Sequence, residues 1–199
     1  MEKFSTLISK IVCFDADDID TDQVIPARFL KRTEKTGFGD ALFHDLRYCA
    51  DGSLRDSFPL NLARGDEQVL VAGKNFGCGS SREHAAWALR DFGFRAILAP
   101  SFADIFRINA LNNGLLPVIL PAEFIREIMT LSAREQVTVL VDLEKEEVAV
   151  SGTSLRSSFP VDAYRKRCLL NGYDDTGLML TMTEEILRFE MSRPYQKII

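Results

Sequence analysis

The sequence predicts an α/β fold, one domain over residues 1–199 with a mixed, largely parallel sheet. Three observations carry that expectation. Between Val69 and Leu131, short apolar runs alternate with helical stretches of about ten residues, the rhythm of parallel β-α-β connections. The runs Val137–Leu143 and Glu147–Val150 read as a hairpin around Glu144-Lys-Glu146. The 199 residues are 46% hydrophobic and 27% charged, ordinary for a soluble chain that buries one core.

Taken in order, Lys10-Ile-Val-Cys-Phe14 is a short strand. Five aspartates follow between Asp15 and Asp22. Their density resembles a calcium loop, but no Gly or Glu falls at the required offsets, so the run reads as turns and helix caps. Val24–Leu30 is apolar, and Lys31–Gly37 is polar and reads as an exposed loop. The stretch from Phe38 to Ala63 is mixed, with Gly52, Pro59 and Gly65 as punctuation. Strand Val69–Ala72 then leads into a glycine loop and a helix over 82–92, stopped by Gly93. Strand 95–99 and a helix over 102–112, closed by Asn113-Gly114, come next. Strand 115–120 and a helix from Pro121 to about Leu131 complete the alternation. Beyond the hairpin, a helix ends near Asn171-Gly172, and 183–191 is a last amphipathic helix.

Composition excludes several function classes. The net charge of −5 does not suggest a nucleic-acid partner. No apolar run approaches the roughly 20 residues of a membrane helix, and the first ten residues carry no signal-peptide pattern, so a cytoplasmic location is expected. The cysteines, Cys13, Cys49, Cys78 and Cys168, show no CxxC spacing, and the histidines are His44 and His84. A zinc or cubane iron–sulfur site on this chain is therefore not expected, nor any other metal.

The segment Asn75-Phe-Gly-Cys-Gly-Ser-Ser-Arg-Glu-His84 carries the chemistry. Gly77 and Gly79 allow a tight turn and close approach to a ligand. A helix N-terminus favours an anion, and Arg82 adds a planar donor fork suited to carboxylate. Ser80-Ser-Arg-Glu83 also satisfies the capping box, with Ser80 as cap and Glu83 returning the bond. A cap alone requires neither Gly-Cys-Gly before it nor a cation in the first turn. The dinucleotide fingerprint fails at Arg82, where a third glycine belongs, and the Walker A and nucleophile-elbow patterns fail as well. What remains is a cradle for a compact anion, with a hydroxyl in it.

The stretch from Asn75 to Leu89 resembles the signature of the swivelling domain of the aconitase superfamily. Asp20-Thr-Asp-Gln-Val-Ile-Pro26, and Ser101–Phe106 with Asn113–Val118, match the family's other motifs, in family order. With Phe29–Thr33 and Thr36–Gly39, the chain most resembles the family of bacterial 3-isopropylmalate dehydratase small subunits, from Met1 to about Arg193. The resemblance implies a β/β/α three-layer swivelling domain with a helical extension over about 157–199. It implies a heterodimer or higher assembly with a large subunit that carries a [4Fe-4S] cluster, no cofactor being bound by this chain. The implied activity is a hydro-lyase of leucine biosynthesis, isomerising 2-isopropylmalate to 3-isopropylmalate by dehydration and rehydration. By resemblance, Ser80 is the base and Arg82 pairs with a substrate carboxylate. Ser81, Gly79 and Cys78 line the substrate, and Leu30 and Arg32 lie in the substrate-selecting segment. Lys31 and Arg32 would favour a third carboxylate if turned inward, as in homoaconitase-like relatives. Leu30 either meets an isopropyl group or anchors its loop, Asp20 and Asp22 bond the site loop or cap the next helix, and His84 is read as structural. Two alternatives stay open: a related hydro-lyase acting on citraconate, methylmalate or dimethylmalate, and a non-catalytic carboxylate-binding module.

Overall fold

In the computed structural model, residues 1–31, 36–63 and 65–192 are described. Strand β1, Thr6–Phe14, is the seam of the sheet. Its second half pairs in parallel with β2, Val69–Ala72, in the register Ile11 to Val69 and Phe14 to Ala72. Its first half pairs antiparallel with β5, Thr138–Asp142. The parallel side continues through β3, Ala96–Ala99, to β4, Leu116–Ile119. The antiparallel side continues through β6, Glu147–Val150, to β7, Arg156–Ser158. The strand order is β4-β3-β2-β1-β5-β6-β7, so the mixed sheet divides evenly at β1.

Strands β2, β3 and β4 are four-residue apolar runs, and β2 and β3 are buried throughout. That is the pattern of parallel strands covered on both faces. Leu70, Ala72, Ile97 and Ala99 face one cluster. There they meet Ala85, Ala88 and Leu89 of α4, His84–Phe92, and Phe106 and Ala110 of α5, Asp104–Asn112. Short helices α1, Thr21–Val24, α2, His44–Arg47, and α3, Pro59–Leu62, roof the same cluster. Two 3-10 turns, Ala27–Phe29 and Gly39–Ala41, complete it. Val69, Val71, Ala96 and Leu98 face the other way, onto Phe124, Ile125 and Ile128 of α6, Ala122–Ser132. Val139, Val141, Val148 and Val150 of the hairpin join that second cluster, with Leu169 of α7, Ala163–Asn171. Helices α8, Asp175–Thr181, and α9, Thr183–Ser192, close the described chain. No helix of the described residues is long and apolar enough to cross a membrane.

Three differences from expectation have physical causes. β1 starts four residues earlier than predicted, because its first half leaves one face open: Ile8 is 69% exposed, which blurs the strand pattern. β7 is a three-residue, mostly exposed edge strand of Arg-Ser-Ser, too polar to read as a strand. Helix α4 begins at His84, not Arg82.

Parallel strands end on the same side, and open α/β sheets bind ligands outside their carboxyl ends. The loops after β1, β2 and β3 therefore converge, and the glycine segment is the middle one.

Candidate functional site

Backbone bonds sew the middle loop to both neighbours. From the loop after β1, Gly77 N–H donates to Ile19 O at 2.7 Å, and Thr21 N–H donates to Cys78 O at 2.9 Å. Ser80 N–H donates to Thr21 Oγ1 at 3.1 Å, and Asn75 Nδ2 donates to Asp18 Oδ1 at 2.7 Å. From the loop after β3, Phe76 N–H donates to Ser101 O at 3.1 Å and Ala103 N–H to Phe76 O at 3.0 Å. Asn109 Nδ2 of α5 reaches Ser81 O at 3.1 Å.

The two glycines answer different demands. At Gly77, φ is +80° and an added Cβ would lie 2.2 Å from Phe106 Cγ, so both conformation and space require glycine. At Gly79, φ is +94° but the nearest neighbour of a Cβ, Asp20 Cβ, is at 3.4 Å, so only conformation requires it.

The aspartate run supplies a cap, as expected, and also bonds to the glycine loop. Asp20 caps α1 in a full capping box: its carboxylate accepts from Gln23 N–H at 2.7 Å, and Gln23 Oε1 accepts from Asp20 N–H at 3.0 Å. Asp17 Oδ1 accepts from Lys74 N–H at 2.9 Å. Asp22 bonds the loop through its carboxylate, which pairs with Nη1 of Arg82.

The capping box expected at Ser80–Glu83 is not formed. Glu83 occupies the N-cap position of α4 without a side-chain cap bond. Its Oε1 instead accepts from Asn113 Nδ2 at 2.7 Å, and Asn113 Oδ1 accepts from Trp87 Nε1 at 3.0 Å. With Glu83 drawn to Asn113, the Ser80 hydroxyl is left without a hydrogen-bond partner among the described residues. It sits half-buried between exposed Gly79 and exposed Ser81, so the turn is open on one side.

The remaining candidates separate. Cys78 donates its thiol to Asp18 O at 3.3 Å, and burial, with the charges of Asp20 and Asp18, holds its pKa above the ordinary thiol value. It stays protonated and is no nucleophile. His84 lies against Phe38 and Trp87, at 5.4 and 4.5 Å between ring centroids, and burial lowers its pKa. The ring is therefore neutral at pH 7. Leu30 is half-buried against the cluster beneath α1. Arg32 lies outside the described residues. In the same segment, Arg28 pairs with Asp45 and covers the Phe29 ring at 4.7 Å. Thr21 and Asn109 are residues of the site that sequence reasoning did not place there, while Asp22 bonds the site loop, one of the two roles left open for it. Thr21 and Asp22 stand inside a motif it had singled out, whereas nothing local marks Asn109.

Among the described residues, no group of three or more His, Cys, Asp or Glu is placed to hold a metal ion. What the turn can do is present a hydroxyl and a guanidinium two residues apart, on backbone fixed from two sides.

The aconitase C-terminal domain family matches residues 1–123. A 3-isopropylmalate dehydratase small subunit of Cytophaga hutchinsonii is 48% identical over 200 residues, covering 100% of both chains. One of Christiangramia forsetii is 47% identical, covering 97% of this chain and 95% of that one. The crystal structure of a 3-isopropylmalate dehydratase from Methanocaldococcus jannaschii superposes with a TM-score of 0.67 at 28% identity, over 94% of this chain and 99% of that one.

Proposed function

This chain belongs to the aconitase C-terminal domain family and to its 3-isopropylmalate dehydratase small subunits, and we propose that its glycine turn is half of an active site completed by a large subunit. The observation that carries this reading is the Ser80 hydroxyl, released from helix capping on a turn open to one side, two residues before Arg82. The reaction is the isomerisation of 2-isopropylmalate to 3-isopropylmalate through 2-isopropylmaleate, a step of leucine biosynthesis in the cytoplasm. The chain works as one swivelling domain; its helical extension, expected from 157, begins after strand β7 and comprises α7, α8 and α9 among the described residues.

In this reading Arg82 binds one substrate carboxylate through paired N–H donors. Ser80, as an alkoxide, takes the proton from the carbon next to the one that bears the hydroxyl. A serine hydroxyl is far too weak a base alone at pH 7, so its anion needs the backbone N–H groups of the turn and the Arg82 charge. The proton then returns from Ser80 when water adds at the neighbouring carbon. Ser81 and the Gly79 backbone contact the substrate, Cys78 packs beneath it, and Leu30, with Arg32, selects what the carbon skeleton carries. No group of the described residues is placed to hold a metal ion; in this family reading a [4Fe-4S] cluster belongs to the large subunit, where it would supply a Lewis acid for the departing hydroxyl.

The test is turnover of 2-isopropylmalate by the chain alone and mixed with a cluster-bearing large subunit. The lone chain should be inactive and the mixture active. Turnover by the lone, metal-free chain would refute the half-site.

A further inference from the structure

From the pairing of Arg82 with Asp22, and resting on the proposed function above, we infer that Asp22 is a positioning residue that sets the plane of the Arg82 guanidinium for the substrate carboxylate. An arginine fork has two edges that suit a carboxylate. Asp22 takes Nη1, and neither Nε nor Nη2 has a partner among the described residues. The edge left over is the Nε/Nη2 pair, which can receive a carboxylate through two parallel bonds. Asp22 is not held by Arg82 alone. Its neighbour Thr21 is 1% exposed and clasps the glycine turn twice, through Thr21 N–H to Cys78 O and Ser80 N–H to Thr21 Oγ1. On the other side, Gln23 closes the α1 capping box with Asp20. The carboxylate of Asp22 thus has the same frame as Ser80, and through it Arg82 is referred to that frame.

Side chains as long as arginine give up much rotamer freedom when they bind. Asp22 has already removed part of it, so substrate binding is spared that cost. A competing carboxylate that merely blocked Arg82 would act in the opposite direction.

The experiment uses the assembled two-subunit enzyme with 2-isopropylmalate, and measures KM and kcat for wild type, Asp22→Ala, Asp22→Asn, Arg82→Ala and the Asp22→Ala/Arg82→Ala double variant. Asp22→Ala should raise KM about tenfold while kcat changes less than about threefold. Asp22→Asn, which keeps an acceptor oxygen, should recover part of the loss. In the Arg82→Ala background, Asp22→Ala should leave KM unchanged, because no fork remains to orient. An unchanged or lowered KM in Asp22→Ala overturns the inference and leaves the proposed function standing. So does a rise in KM that persists without Arg82, which a merely structural role would give. An Arg82→Ala enzyme with wild-type KM and kcat overturns the carboxylate role of Arg82, and this inference with it.

Discussion

The glycine turn at residues 75–83 and the C-terminal helices α8 and α9 are held in opposite ways. The turn has few side chains of any size, yet hydrogen bonds from the loops after β1 and β3 and from α5 fix it. Helix α9 has ten residues and none is buried; Ile186, Leu187 and Met191 are exposed, Met191 by 85%. Precision here comes from backbone bonds where parallel strands end, added to the packing of Phe76 and Gly77 on Phe106. A site that must place a hydroxyl and a guanidinium needs the first kind of support.

The comparison can be broken first at Gly77. Gly77→Ala should cost about 2–5 kcal/mol, combining a left-handed backbone with overpacking against Phe106. Urea unfolding of the lone chain reads it. Gly79→Ala meets only the backbone term and should cost about 1–2 kcal/mol by the same measurement. A larger loss at Gly79 than at Gly77 would mean that space at Phe106 does not limit the turn.

Acidification separates the regions by pH. Burial lowers the His84 pKa, so the folded state favours the neutral ring; the unfolded chain binds the proton more readily, and stability falls as pH drops below about 6.5. In the hairpin, the Lys145 backbone N–H bonded to Asp142 and the Lys166 ammonium bonded to Glu146 hold both carboxyls below the ordinary range. Their contribution is present above about pH 4 and is lost as pH falls through the folded values. Thermal unfolding should show an early loss that His84→Asn removes and a later one that Asp142→Asn reduces. The smallest effect belongs to α9. Ending the chain at Met182 should change the stability of the lone chain by less than about 1 kcal/mol, since no residue of α9 is buried.

The parallel half of the fold was legible because its signals are local. Val69–Ala72 and Ala96–Ala99 are uninterrupted apolar runs, and Gly93, at φ +117°, ends α4 where its sequence position said a helix would stop. Asp20 was also legible as a cap, since Asp20 and Gln23 bond across three residues. The Ser80–Glu83 box was misread because the partner that takes Glu83 is Asn113, thirty positions on. No local pattern shows a long-range competitor for a capping carboxylate. The same limit hid Asn109, which bonds Ser81, and left two roles open for Asp22, whose partner Arg82 is sixty positions on. Helix α8 was missed because Asp174-Asp-Thr-Gly177 reads as a turn, although Asp174 in fact caps a helix by accepting from Gly177 N–H at 2.6 Å.

The central claim is that Ser80, freed from capping, moves the substrate proton. It is tested most directly by incorporation of solvent deuterium into 2-isopropylmalate by the assembled enzyme, wild type against Ser80→Ala. The account predicts that incorporation and turnover fall together by about 10²–10⁴-fold while the subunits still co-purify. Incorporation by Ser80→Ala at near the wild-type rate would contradict it.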